Sequence, residues 1–140
     1  VDGKVDRTLL SPHVIGKPEA MRRLEAIIHP LVHEEEKTFL QKARAESRRN
    51  VALDIPLLFE TGGDRRVHAS VVVTADAEIQ KARVMAREGM SEDRFNAIVA
   101  KQMPDHEKRR RAHFLIDTGL GFEAAERSVA AVLRAVAGIV

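Results

Sequence analysis

Cysteine is absent from the 140 residues, which excludes a disulfide framework, a thiolate metal site and a cysteine nucleophile. Tryptophan and tyrosine are absent as well, and the five Phe are the only aromatics, 4% of the chain. The core must therefore be built from Val, Leu, Ile, Ala and Met, and the tyrosine or tryptophan platforms on which single-stranded nucleic acids stack are missing. No apolar run approaches the roughly 20 residues that span a bilayer, and Val1-Asp2-Gly3-Lys4 lacks the charged-then-apolar order of a signal peptide. These absences lead us to expect a cytoplasmic protein with no membrane partner. Neither a strand pattern nor an initiating Met occurs in the first ten residues. The chain is accordingly expected to continue a longer protein.

What is present suits one compact α/β domain: 44% hydrophobic and 31% charged residues. Twenty-three Lys and Arg stand against 21 Asp and Glu, a net charge of only +2. Any phosphate-binding function must then come from local arginine placement. Pro18 opens a segment in which Met21, Leu24, Ile27 and Ile28 recur at helical spacing up to His29-Pro30. Pro30 suits the first turn of a second helix, carried by Leu31, Val32, Phe39, Leu40 and Ala43 to about Glu46. From Asn50 the period changes. Val51 to Ile55, Ala69 to Val73 and Phe114 to Asp117 read as three short strands. Helical patterns at Ala77 to Glu88 and Ser91 to Lys101, then a charged stretch from Asp105 to Arg111, separate the second strand from the third. Phe122 to Val136 reads as a closing helix. Strands alternating with helices argue for parallel crossover units, divided into a helical region 1–49 and an α/β core 50–140. Three strands are thin for a parallel sheet, and a first strand ahead of Val1 would explain the deficit.

At 100° per residue, Gln80, Arg83 and Arg87 fall within about 60° of one another, opposite Ile79, Ala82, Met85 and Ala86. Two arginines one turn apart present planar forks that can clasp a chain of phosphates or stack on a base, although a solvated helix face has the same spacing. Lys108-Arg109-Arg110-Arg111 could meet phosphate too, or simply face water. Gly89 and Pro104 bracket Met90 to Met103 as a helical flap hinged at both ends. His29, His33 and Glu34 imitate a metal pair, but no third ligand is spaced to join them and no metal site is expected. His29 is either a helix-entry hydrogen-bonding residue or a substrate contact. In Asp54-Ile55-Pro56-Leu57-Leu58-Phe59-Glu60 a carboxylate sits near the end of an apolar strand, where open α/β sheets place their ligands. Asp54 and Glu60 then either face a cleft or lie at the surface. The chain contains no G-x-x-x-x-G-K-[ST] and no G-x-G-x-x-G, while Gly62-Gly63 and Gly119-Leu120-Gly121 are turn signals.

In combination these residues resemble the dephospho-coenzyme A kinase family of P-loop kinases. The matching blocks are Val5-Asp6-Arg7-Thr8-Leu9-Leu10, Leu24-Glu25-Ala26-Ile27-Ile28-His29-Pro30, Asp54 to Glu60, Gln80-Lys81-Ala82-Arg83 with Arg87, Gln102-Met103-Pro104 with Glu107-Lys108-Arg109, and Ile116-Asp117-Thr118-Gly119. Thr118 stands where many members have Asn, and His113 where Asp is common. The resemblance implies a P-loop kinase-like parallel sheet with a helical substrate region and a lid, here without the first strand and P-loop. It implies ATP and dephospho-coenzyme A as substrates, phosphorylation of a ribose 3'-hydroxyl in the last step of coenzyme A synthesis, and Mg²⁺ held by a segment ahead of Val1. It further implies that Arg83, Arg87, Arg109 and Thr118 serve ATP and the lid, with the lid at 90–111. Arg7, His29, Asp54, Pro56, Leu57 and Glu60 would serve the acceptor substrate. The phosphate-cradling loop and the presumed base are not encoded in these 140 residues, so no turnover is expected of them alone. A non-catalytic α/β regulatory or interaction protein on the same scaffold is the alternative. A nucleic-acid module is weaker, because nine basic against six acidic residues from Glu78 to Arg111 make a modest patch.

Overall fold

The computed structural model of the chain describes residues 5–138, so Val1 to Lys4, where a signal sequence was sought, lie outside the described residues. Two compact units divide it, one ending at Val51 and the other beginning at Ala52.

The first unit is helical. Its opening helix, α1 (Arg7–Val14), was not expected from the sequence, yet Asp6 supplies a complete N-cap: its carboxylate accepts from the N–H groups of Thr8 at 2.8 Å and Leu9 at 3.2 Å. A single helix, α2 (Pro18–Ala45), then replaces the two expected, and Pro30 sits inside it. The proline removes one backbone bond and crowds the preceding turn, a cost of about 3 kcal/mol. Ending one helix and starting another would leave orphan N–H and C=O groups at two new termini. The flanks are rich in Ala, Glu, Leu, Lys and Arg, all strong helix formers, and propagation through the proline wins. Helix α2 ends in a Schellman motif, in which the N–H of Arg48 bonds to the carbonyl of Ala43 at 2.9 Å and that of Ser47 to Arg44 at 3.0 Å. Ser47 takes the left-handed position this requires, at φ 54°.

The second unit holds a two-stranded parallel sheet of β1 (Val71–Thr74) and β2 (Phe114–Asp117), with Val71 opposite Phe114 and Thr74 opposite Asp117. Helices α3 (Ala77–Met85), α4 (Glu92–Val99) and α5 (Asp105–Arg111) form the crossover between the strands, and α6 (Phe122–Val136) follows β2. The expected third strand at Val51 to Ile55 is not a strand. Strand identity needs a hydrogen-bonded neighbour, and among the described residues none pairs with this segment. The charged stretch is a true helix: Asp105 and Glu107 lie in the first turn of α5 and Lys108 to Arg111 in the last, the order that complements the helix dipole.

The sheet is covered on one side. Val72 and Ile116 are buried with Phe59 and Ala75, whereas Val73 is 65% exposed, as the alternation of strand side chains dictates. Helix α6 packs on β2 and α5 on β1. At the strand entry, His113 Nδ1 accepts from the buried Ser70 through its backbone N–H at 3.2 Å and stands 3.0 Å from its hydroxyl. The imidazole therefore supplies an acceptor at the position where an Asp is common in the family that the sequence resembles. No helix among the described residues is long and apolar enough to cross a membrane.

Candidate functional site

The carboxyl ends of β1 and β2 gather a polar network, at the place where parallel α/β sheets bind ligands. The carbonyl of Thr74 accepts both the backbone N–H of Thr118 at 2.8 Å and its hydroxyl at 3.0 Å. The Thr74 hydroxyl in turn donates to Asp105 at 2.8 Å. Asp76 then caps α3 through the N–H of Glu78 at 3.2 Å, and the Gln80 amide bonds back to the carbonyl of Ala75 at 2.7 Å. Helix α3 thus springs directly from the end of β1.

Its Arg83 reaches across to the loop after β2, donating to the Thr118 hydroxyl at 3.0 Å and the Thr118 carbonyl at 2.9 Å. Two residues 35 apart in sequence, both singled out beforehand, meet here. The loop itself is tightly turned. Asp117 accepts from the N–H of Gly119 at 2.7 Å, and a Cβ on Gly119 would stand 3.0 Å from that carboxylate oxygen and 3.4 Å from Ile79. Only glycine fits without displacing them.

Arg87 does not share this geometry. Helix α3 ends at Met85 instead of continuing to Glu88, because bonds from Arg87 to Val84 and from Met90 to Arg87, both at 3.1 Å, replace the helical ladder with successive turns. Gly89 at φ 70° completes them. Arg87 therefore lies past the helix on an exposed turn, with no hydrogen-bond or ion-pair partner for its side chain among the described residues. The three-residue stripe drawn on an unbroken helix is broken at its last member.

Met90 opens the flap. Ser91 caps α4 by accepting from Arg94, and Lys81 of α3 pairs with Glu92 of α4 at 2.8 Å. At the far end, Glu60 holds the segment. Its Oε1 accepts from the Met103 N–H at 2.7 Å and pairs with Lys108 Nζ at 3.0 Å, with the two side chains only 15% and 17% exposed. Burial alone would raise the Glu60 carboxyl; the Met103 N–H, a backbone bond of its own and the Lys108 ammonium outweigh it, leaving it below the usual carboxylate value. Neither a free cleft residue nor a surface charge describes Glu60 as it stands. Lys108 is likewise withdrawn from the basic run, while Arg109 sits loosely near Asp105 at 3.7 Å, both about half exposed. The clue in the sequence was an acidic residue immediately after Phe59 in an apolar stretch; its partner 48 residues on stood out only as part of a basic run, with nothing to tie it to Glu60.

Asp54, Pro56 and Leu57 are exposed on the irregular segment and turn that lead to Glu60, and His29 is exposed in mid-helix on α2, not at a helix entry. The Arg7 side chain lies outside the described residues. Mg²⁺ in phosphotransferases is held by one or two carboxylates together with substrate phosphates. At the strand ends Asp105 is engaged by Thr74 and Asp117 by Gly119, and no three acidic or histidine side chains converge among the described residues. The described residues do not fit a dedicated Mg²⁺ cage.

Comparison with known proteins bears on this geometry. The family model described as dephospho-CoA kinase matches residues 1–122. A dephospho-CoA kinase of Mesorhizobium japonicum is 54% identical over 99% of this chain and 70% of its own length. A solved protein of Thermus thermophilus superposes with a TM-score of 0.72 at 38% identity, over 96% of this chain and 69% of its own. A dephospho-CoA kinase of Campylobacter jejuni, at 23% identity and a TM-score of 0.55 over 95% and 65%, shares the fold.

Proposed function

The chain belongs to the dephospho-CoA kinase family, the phosphotransferases of the last step of coenzyme A synthesis, and from that premise we propose how its own residues serve ATP and the acceptor. The observation that carries the reading is the double hydrogen bond of Arg83 to Thr118 at the carboxyl ends of two parallel strands. It fixes a guanidinium plane beside the loop where a nucleotide base would lie, so Arg83 and Thr118 serve the base side. Arg87, unpaired and exposed one turn further, is free to reach the phosphates. Arg109 joins it from the lid 90–111. Phosphoryl transfer passes through a loose transition state with charge spread over the moving group, so positioning and cationic stabilisation are what such arginines supply.

On the acceptor side we assign Asp54, Pro56 and Leu57 to dephospho-coenzyme A, with Arg7 and His29 of the helical unit assigned on the family blocks that contain them. ATP binding by the 140-residue chain, titrated calorimetrically, tests the nucleotide half. Arg87→Ala should weaken it at least tenfold, about 1.4 kcal/mol, and Arg83→Ala should weaken adenosine binding as much as ATP binding, since its partner is the base. Native affinity for ATP in both variants overturns the assignment. For the acceptor, His29→Ala should weaken dephospho-coenzyme A and leave ATP unchanged.

A further inference from the structure

Helix α5 is held by side chains that the nucleotide reading does not use. Its root at Met103 donates to Glu60 Oε1, its Lys108 pairs with the same oxygen, and its Asp105 accepts from Thr74 at 2.8 Å. Positions 105 and 108 lie about 60° apart around a helix, so these two contacts fix which face of α5 turns toward the sheet. Arg109 then falls on the flank of that face and Arg110 on the opposite side. Glu60 also keeps its second oxygen, Oε2, buried and without a partner. That acceptor capacity is withheld from solvent, and both contacts that tie the carboxylate to α5 fall on Oε1.

We propose that Glu60 is a positioning residue: by gripping Met103 and Lys108 it sets the rotation of α5 and thereby aims Arg109 at the nucleotide. The proposal rests on the ATP reading above for its target, while the grip itself stands on the geometry. The pair is largely buried, and removing one partner of such a pair strands the other charge, whereas removing both is far milder. The second partner, the Met103 N–H, needs only an acceptor and would be satisfied by a glutamine oxygen.

Two measurements test it. In amide exchange on the 140-residue chain, Glu60→Gln should speed the α5 amides at least tenfold, while Met103, still held by the glutamine oxygen, and Phe114 and Thr118 beside β1 stay within twofold. Uniform acceleration marks a merely structural residue and overturns the proposal, as does no change. In ATP titrations, Glu60→Gln and Lys108→Met should each raise Kd at least tenfold, and the double variant should be no weaker than either single, because all three lose the same grip on α5. Arg109→Ala should weaken binding less in the Glu60→Gln background than in the native one, because the two act through one another. Additive losses in the double variant, or a return to native affinity, which marks a stranded buried charge only, refute the aiming of Arg109. Failure of the native chain to bind ATP overturns the nucleotide reading and with it the role of Arg109, while the exchange pattern still decides whether Glu60 grips α5.

Discussion

In the first unit the long helix α2 buries only Ala43, and Ile27, Leu31 and Phe39 stand 64%, 62% and 48% exposed. In the second, Phe59, Val72, Ala75 and Ile116 are buried around the strands, and polar side chains 31 to 48 residues apart are bonded to one another. One unit is held by what each turn of helix does for the next: caps, propensity and the closing motif at Ser47. The other is held by partners that meet only because the chain returns. The contrast teaches that an element can be highly regular and still bury little, and that the functional residues collect where distant segments converge.

The largest test of this contrast compares two phenylalanines. Phe59→Ala should cost about 3 to 5 kcal/mol in urea denaturation, whereas Phe39→Ala, half exposed, should cost under about 1 kcal/mol. Equal costs would erase the distinction between the units. Next in size, Pro30→Ala should stabilise α2 by about 3 kcal/mol, read as a later loss of far-ultraviolet helical signal on heating. A destabilised helix would mean that the proline is packed by distant residues and that the first unit is not locally determined.

The third test uses acid. The Glu60 carboxyl lies below its ordinary 4.5 in the folded chain, so its contribution is full above that value and is lost as pH falls through the lower folded one. Charge-assisted bonds of this kind contribute about 1.5 to 3 kcal/mol. Between pH 5 and 3 the melting temperature of the native chain should fall more steeply than that of Glu60→Gln, which has no proton to take up. Parallel slopes would remove the ion pair from the stability of the second unit. The smallest effect belongs to the first unit, where Ser47→Gly should stabilise by about 1 kcal/mol by relieving the left-handed backbone at φ 54°. Calorimetry showing no gain would place the end of α2 under control of something other than its own last turn.

Residue order alone determined what local physics controls. Helix α6 runs from Phe122 to Val136 and β2 from Phe114 to Asp117, both as their periodicities indicate, and the spaced blocks around His29, Asp54 and Arg83 identified the family later matched over residues 1–122. Turn signals at Gly62 and Gly121 fall on positive φ angles, which a glycine alone adopts without strain. Where competing local effects are of similar size the sequence misleads: Pro30 reads as a helix start, yet its cost is smaller than that of two new helix ends. Val51 to Ile55 reads as a strand, yet β structure is a property of a pair and no described segment supplies the second member. The Arg83–Thr118 contact, the early end of α3 that releases Arg87, and the burial of Glu60 against Lys108 and Met103 were decided only in three dimensions. A side chain's partner across 35 or 48 residues is set by how the chain closes on itself, and hydrophobic period carries no record of that closure.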